Sequence, residues 1–503
     1  MSVWITCTPP TPNGPLHVGH MAGPYIAADV LRRSLASADE PVRLTTGMDD
    51  NQTYVPRRAW GDGVGGAAVA EQFTASITET WRTAGVEFDE IVLPHGADYE
   101  ARVQAMFSAL VESNTVVSRD TTLPHCTTCD RWLYEAYLDG RCPHCGAVTN
   151  GNACEQCCRP NACRDVVDPS CIRCSERPTL RSVTLLVLPL EPLRDKLVEY
   201  WNGVDMPPRL RAVCDEMAAD ALPEILVAHP GDWGVPVPVS GFEDHRIYVW
   251  LEMAEGYAAQ RPTDLSAGEG RLVQFFGIDN GYFHAVLMPA ANIALGRHEL
   301  LAERFVVNEF YLYNGAKFST SRKHAVWAAD VLPVAGADML RLHAMLHRPA
   351  TSQTDFTLRD LAETEAVLDL WNRTFVAILE LDSDDTHEQD VDAAAGADLE
   401  RHARLIDRAA LDAELALGER DFDASAAAAA LVGLTARIGH LVDEVQAAKH
   451  QAARGAAGRR LARDAARRFV EVATPIVPGG AGRLRDALSA GAPPRVKLFG
   501  MGA

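Results

Sequence analysis

The chain has 503 residues, 47% of them apolar and 23% charged, which is the balance of a globular protein too long for a single core. A formal net charge of -21 excludes binding to nucleic acid through a broad basic surface, although a local basic groove stays possible. No run of about 18 apolar residues suggests a membrane span. The opening MSVWITCTPP has neither the basic nor the apolar region of a secretory signal, so a cytoplasmic protein is expected.

Short β-like runs open the chain: VWIT (3–6), VRLTTG (42–47) and EIVLP (90–94). Between them, segments 21–37 and 69–85 show helical apolar spacing. Such alternation predicts a parallel sheet with helices on both faces. The strand character resumes at RLVQFFGID (271–279) and RFVVNEFYLY (304–313), with a helical pattern over 282–296 between them. The simplest reading is one doubly wound α/β domain split by an insertion. Beyond residue 360 the chain turns Ala-rich with period-3.6 spacing, which predicts a helical bundle. The acidic stretch 381–392 reads as an exposed loop between its helices.

Twelve cysteines are present, and ten of them fall between Cys126 and Cys174. In a reducing compartment such a concentration reads as metal binding rather than a disulfide framework. Four Cys-x-x-Cys pairs occur: Cys126/Cys129, Cys142/Cys145, Cys154/Cys157 and Cys171/Cys174. Each pair is a thiolate clamp, and two clamps complete a tetrahedral zinc site. The inner two pairs form one compact site and the outer two close the second, giving one or two structural Zn²⁺ ions without an open position for water. Cys158 and Cys163 are surplus, and His125 and His144 lie nearby without being needed.

Two further segments carry chemistry. PLHVGH (15–20) sits where the first strand hands over to the first long helix, a point where free backbone N–H groups and the helix dipole favour phosphates. His17 and His20 there can donate hydrogen bonds to phosphorus oxygens, and Gly19 lets a flat base approach the backbone. NGAKFSTSRKH (314–324) is a Gly turn followed by Lys317, the hydroxyls Ser319, Thr320 and Ser321, then Arg322 and Lys323. That composition suits a cationic loop able to clamp a triphosphate.

In this order the two segments resemble the HIGH and KMSKS motifs of class I aminoacyl-tRNA synthetases, as HVGH and KFSTS. The cysteine run, YVWLEMAEGY (248–257), FFGIDNGYFHAVLMPA (275–290) and GADMLRLHAM (336–345) are similar to segments of methionyl-tRNA synthetases within that class. The resemblance runs through most of residues 3 to 350. It implies a split Rossmann-like parallel sheet with a zinc-knuckle insertion and a C-terminal helical anticodon bundle. The divisions expected are 1–114 and 236–310 for the two halves of the catalytic domain, 115–235 for the insertion, 311–360 for the KFSTS and stem-contact region, and 361–503 for the bundle. It implies that His17, His20 and Lys317 are catalytic, and that Pro15, Gly19, Gly277, Asp279, Lys317, Ser319 and Ser321 hold ATP with Mg²⁺. Asp50 would pair with the substrate's α-ammonium. Thr8, Pro9, Thr11, Trp250, Tyr257, Asn280, His284 and Met288 would surround the amino acid.

The chain departs from that pattern in two places. Thr11, Asn280 and Met288 stand where the family has a tyrosine, an isoleucine and an aromatic, and a thioether pocket favours apolar and aromatic walls. Unpaired polar groups cost about 1–3 kcal/mol each, so a polar or differently shaped side chain is expected in place of methionine's. In the bundle, aligning Asn372 on the family's base-reading Asn puts Val376 and Glu380 in the positions that follow, and an acid beside a phosphate chain is repulsive. Six arginines at 454, 459, 460, 463, 467 and 468 read first as a solvated face and second as a phosphate track. The expected activity is ATP-dependent formation of an aminoacyl-adenylate by a monomer or homodimer with no membrane partner. The acyl group would pass to a small-molecule amine or an unusual tRNA in a divergent paralogue; the alternatives are a working methionine-tRNA ligase and a non-catalytic binding protein on the same scaffold.

Overall fold

The computed structural model describes residues 2–262, 270–318, 324–381, 393–447, 452–492, 494 and 496–500, without the side chains of 393–395 and 452–454. Ser319, Thr320, Ser321, Arg322, Lys323 and the acidic stretch 382–392 therefore lie outside the described residues, as does the side chain of Arg454. The chain divides into two compact units: Met1–Pro15, Arg43–Ile77 and Phe88–Asn308 form unit one, and Leu16–Val42, Thr78–Glu87 and Glu309–Ala503 form unit two.

Unit one is built on a five-stranded sheet ordered 304–308, 271–277, 3–7, 42–47, 90–92. Pairs 3–7/271–277, 271–277/304–308 and 42–47/90–92 run parallel. Strand Val3–Cys7 is buried along its whole length, as a central strand covered on both faces must be. The chain leaves it toward one edge through 42–47 and later returns to its other side at 271–277. The carboxyl ends of 3–7 and 271–277 thus flank a topological switch point, where open α/β sheets bind ligands. The insertion contains a long antiparallel hairpin, Val117–Cys126 with Thr179–Pro189, and a small sheet of 138–141, 148–149 and 167–171.

The run expected as one strand over 304–313 is broken. Arg304–Asn308 stays in the main sheet, whereas Tyr311–Tyr313 pairs with Ala316–Lys317 and Thr354–Phe356 in unit two. Asn314 at φ 50° and Gly315 at φ 74° form the turn between the two short strands, the left-handed pair that a two-residue hairpin needs.

Unit two is otherwise helical. Its first helix begins at Val18, earlier than the Met21 suggested by apolar spacing, because the His17 side chain caps it. One π turn over Met21–Tyr25 follows, with Pro24 inside, before regular helix over Ile26–Ser37. Proline has no N–H for the ladder, so the register slips there. Arg341, fully buried, pairs with Asp29 at 2.6 Å and donates to the carbonyls of Gly85, Pro475 and Ile476, ties that a buried guanidinium requires. The bundle consists of helices 358–379, 393–416, 424–447, 452–473 and 478–490. Helix Ala424–Ala447 is, by length and composition, apolar enough to cross a membrane. Its buried residues recur three and four apart, however, from Ala424 to Val445, and face helices 358–379, 393–416 and 452–473. That is the pattern of a bundle's core helix.

Candidate active site and zinc knuckles

The histidine segment is organised by its own backbone. His20 N–H donates to His17 Nδ1 at 3.2 Å, and His17 N–H donates to His20 Nδ1 at 3.3 Å, a reciprocal cap made of two imidazoles. Each Nδ1 is an acceptor, so the neutral ring carries its proton on Nε2. Protonating Nδ1 would set two N–H groups face to face. Burial, the other ring and Lys317 hold His17 well below the usual histidine range, and burial with Lys317 lowers His20 to about 4. At neutral pH the pair is therefore uncharged and offers two Nε2–H donors.

The two rings stack at 3.5 Å between centroids, and Phe318 stacks on His17 at 4.6 Å. Tyr313 continues the column behind Phe318 at 5.8 Å. A Cβ at Gly19 would lie 3.0 Å from His17 Nδ1 and 3.3 Å from Phe318 Cδ2, so here glycine makes room for the rings. Lys317 sits with Nζ 4.2 Å from the Phe310 ring centre. Past the KFSTS segment, Val326 accepts from Val18 N–H at 2.9 Å and Ala328 donates to Leu16 O at 2.9 Å. The backbone N–H groups of Val18 and His20 are thus already used, and the imidazoles replace them as anion donors, contrary to the expectation of free backbone groups. Phe318, which reasoning from sequence missed as a functional residue, is signalled only by being the aromatic second residue of KFSTS.

The residues expected around the amino acid lie in unit one. Thr8 N–H donates to Phe275 O at 2.9 Å, extending the pairing of the two central strands. Pro9 follows, and Thr11 donates from its hydroxyl to Asp49 Oδ2 at 2.9 Å. Gly277 ends its strand where a Cβ would lie 2.5 Å from Asp279 Oδ1. Asn280 Nδ2 donates to the same carboxylate at 3.3 Å. Trp250, Tyr257 and His284 are joined by ring contacts through Phe283, at 5.9, 5.8 and 4.8 Å respectively. His284 stacks on Phe276 at 3.9 Å, with Nδ1 3.1 Å from Gln274 Oε1. Met288 is buried one turn later, just after a π turn over Phe283–Leu287. Pro289 cannot donate within that helix, and Trp201 Nε1 donates to the Ala285 carbonyl instead, at 2.7 Å.

Thr11 and Asn280 therefore find partners inside the protein. Their polarity does not by itself call for a polar substrate, which removes the main ground for the expectation drawn from those two positions.

Unit one also buries a group of carboxylates. Asp50 is buried 2.8 Å from His95 Nε2, and burial lifts it to about 6 despite that neighbour. Burial also lifts Glu135 and Glu252 to about 7 and Asp49 well above its usual range. Thr53 donates to Glu135 at 3.3 Å, and Asn51 donates to Glu252 at 2.8 Å.

Both expected cysteine groupings come together: Cys126, Cys129, Cys171 and Cys174 in one cluster, Cys142, Cys145, Cys154 and Cys157 in the other, each with all sulfurs within 4.8 Å. A tetrahedral zinc–thiolate site has sulfurs about 3.8 Å apart, from Zn–S bonds of about 2.3 Å. Here Cys126–Cys174 and Cys129–Cys171 are 3.4 and 3.9 Å apart in the outer cluster, and Cys142–Cys157 and Cys145–Cys154 are 3.8 and 3.7 Å apart in the inner. Each could hold one ion. The residue after the second cysteine of every pair is left-handed: Asp130, Gly146, Cys158 and Ser175, at φ 47°, 73°, 59° and 62°. That bend aims both thiols of a clamp at one point. Cys158 is thus a knuckle's bend residue, with Sγ on Ile278 O at 3.0 Å, and Cys163 donates to Asn152 at 2.8 Å. Neither joins a cluster; His125 and His144 do not either.

The family model for class I tRNA synthetases (M) matches residues 3–373. The methionine–tRNA ligase of Thermoplasma volcanium is 28% identical over 379 residues, covering 72% of this chain and 70% of that protein. That of Dehalococcoides mccartyi is 29% identical over 379 residues, covering 71% and 67%. Mycobacterium tuberculosis methionyl-tRNA synthetase, solved in complex with methionyl-adenylate, shares the fold with a TM-score of 0.77 at 18% identity, over 99% of both chains. A histidine pair capping the first helix, a parallel sheet with its switch point and two thiolate clusters accompany a match over nearly three quarters of the sequence, and the chain belongs to the class I tRNA synthetases of this M family, a ligase.

Proposed function

We propose that the chain joins an amino acid to ATP, releasing pyrophosphate, and passes the aminoacyl group to a tRNA, with methionine and its tRNA as substrates. The neutral, stacked His17–His20 pair beside Lys317 carries this reading. In the reaction the amino acid's carboxylate oxygen attacks the α-phosphorus of ATP, and pyrophosphate leaves. Negative charge builds on the phosphoryl oxygens, which the Nε2–H groups of His17 and His20 would meet as preorganised donors. Lys317 would hold the pyrophosphate, with Ser319 and Ser321 beside it, and Pro15 and Gly19 would border the nucleotide. Gly277 and Asp279 would receive the ribose, Asp50 the α-ammonium, and Thr8, Pro9, Thr11, Trp250, Tyr257, Asn280, His284 and Met288 the rest of the amino acid. Mg²⁺, when bound, supplies charge neutralisation on the triphosphate. The thiolate clusters would each hold a structural Zn²⁺, closed to water by four sulfurs. The division into two catalytic halves, insertion, stem-contact region and bundle belongs to the same proposal. The names of the relatives support methionine, and the adenylate in the matched structure supports the order of events.

A second reading, transfer to a small amine by a paralogue, is favoured by the bundle. Exposed Glu380 ends helix 358–379, and Asn372 is used internally, exchanging hydrogen bonds with Phe499 at 3.0 and 2.9 Å. Three of the arginines of helix 452–473 are engaged too: Arg463 on Leu381 O, Arg467 on Asp464, and Arg468 on Glu414 and Glu471. These contacts support reading that helix as a solvated face before a phosphate track. ATP–pyrophosphate exchange across the twenty amino acids, followed by charging of purified tRNA, separates the readings. Exchange with methionine and acylation of its tRNA is the expected result. Exchange without acylation of any tRNA would establish the second reading.

A further inference from the structure

Outside the residues assigned above, unit one contains a cavity of about 540 Å³ between the long hairpin, helix 208–219 and the inner knuckle, a size typical of small-molecule sites. Leu123, Leu185, Val187, Met217 and Ile225 supply an aliphatic part of its wall, and polar and charged side chains line the rest. Among the buried polar atoms of its lining, Tyr282 Oη and Asn152 Nδ2 have no hydrogen-bond partner, whereas Tyr248 Oη lies beside the Glu135 carboxyl. Tyr282 is 1% exposed and Asn152 7%, so bulk water does not serve them. The Asn152 amide is oriented, because its Oδ1 accepts from Cys163 Sγ at 2.8 Å and leaves Nδ2 pointing away. A neighbouring carboxamide in the same wall, Asn161, is paired with Cys142 and Thr149. Polar groups that serve the fold are therefore satisfied here, and these two stand apart from that pattern. At the rim every cation meets a carboxylate: Arg119 with Glu224 at 3.0 Å, Arg159 with Glu216, and Arg164 with Asp165 at 3.7 Å. Asp120 and Asp220 line the same cavity without a cation partner among the described residues, so the mouth repels anions, while two hydrogen-bond donors inside it are unsuited to a cation.

We infer that this cavity is a second ligand site, for a neutral, largely apolar small molecule bearing a carbonyl oxygen or ring nitrogen at its inner end. The acceptor atom takes hydrogen bonds from Asn152 Nδ2 and Tyr282 Oη, and the body of the molecule lies against the aliphatic walls. Tyr282 is 5.9 Å from Trp250 between ring centres, so an occupant adjoins the aromatic row that reaches Tyr257. The inference does not depend on the proposed reaction, because binding is read on the zinc-loaded chain without ATP or amino acid.

Saturation-transfer NMR with N-benzylacetamide as the neutral probe, and benzylammonium and phenylacetate as charged counterparts, tests it. The amide is expected to bind saturably, at least tenfold tighter than either ion. Tyr282→Phe removes one hydrogen bond and is expected to weaken it roughly tenfold. Thr122→Trp, which fills the cavity from the half-exposed hairpin face, is expected to abolish binding in a variant that melts with the wild type. A crystal soaked with the amide is expected to show its carbonyl on Asn152 and Tyr282. Equal binding of all three probes, binding of none, indifference to both substitutions, or water alone on those two atoms would overturn the inference.

Discussion

Two regions of this molecule bury titratable groups, and they neutralise them in opposite senses. The imidazoles of His17 and His20 lose their proton because burial and the Lys317 charge disfavour the cation, and each Nδ1 is already claimed by a backbone N–H three residues away. Burial instead raises Asp49, Asp50, Glu135 and Glu252, and neighbouring carboxylates add to the rise at Asp49 and Glu252. The first region is made by four consecutive residues and a stacked phenyl ring. The second is assembled from chain segments two hundred residues apart. Neutral donors suit an anion whose charge rises during reaction, whereas carboxylates held near neutrality suit a cation that arrives and draws the proton away.

The largest effect that separates the regions is zinc removal. Glu135 lies among Tyr134, Tyr137 and Leu133, which pack around Cys126 and Cys171. Stripping the zinc proposed for the two clusters with a chelator is expected to unfold the knuckles and abolish amino-acid binding, since folding of such sites is coupled to the metal. Hydrogen exchange should then rise over 117–189 while helix 26–37 keeps its protection. Equal loss in both places would show that the two regions are not independent.

Glu252→Gln probes the acidic region next. Its carboxyl rises from 4.5 to about 7 on folding, so the folded chain keeps a proton that the unfolded chain releases between those values. Stability therefore falls as pH rises through that window and stays low above it. The amide is expected to stabilise the fold by about 3 kcal/mol at pH 8, with no gain at pH 4. Denaturant melts at the two pH values check the sign.

Asp50→Asn removes the expected partner of the α-ammonium while keeping its shape. KM for the amino acid is expected to rise about 30-fold, as for a hydrogen-bonded charge pair worth roughly 2 kcal/mol. Wild-type KM should rise in turn as pH falls through about 6, where Asp50 takes up its proton. A pH-independent KM would remove Asp50 from that role. Gly19→Ala is the mildest change. Its Cβ would press His17 Nδ1 and Phe318, and roughly a tenfold loss of exchange kcat with unchanged KM is expected.

The same contrast explains what could be read from sequence. HVGH and the Cys-x-x-Cys pairs are legible because their chemistry depends on short spacings, and both clusters pair as spacing suggested. The strands at 3–7, 42–47, 90–92, 271–277 and 304–308 are legible from their apolar runs. The acidic region is not, because nothing local marks Asp49, Glu135 and Glu252 as neighbours. Nor does composition show that Thr11 and Asn280 each have a carboxylate within reach, or that Asn314–Gly315 would turn the 304–313 run out of its sheet. The Phe318 ring on His17 is likewise a tertiary fact. Spacing cannot supply it.

The most direct test of the neutral imidazole pair is amino-acid-dependent ATP–pyrophosphate exchange by His20→Ala at pH 8, compared with the wild type. Loss of two such preorganised donor functions, one directly and one through the broken cap on His17, is expected to cut kcat about 10²- to 10³-fold while the zinc content and melting behaviour of the chain hold. Exchange at the wild-type rate by that variant would contradict the assignment.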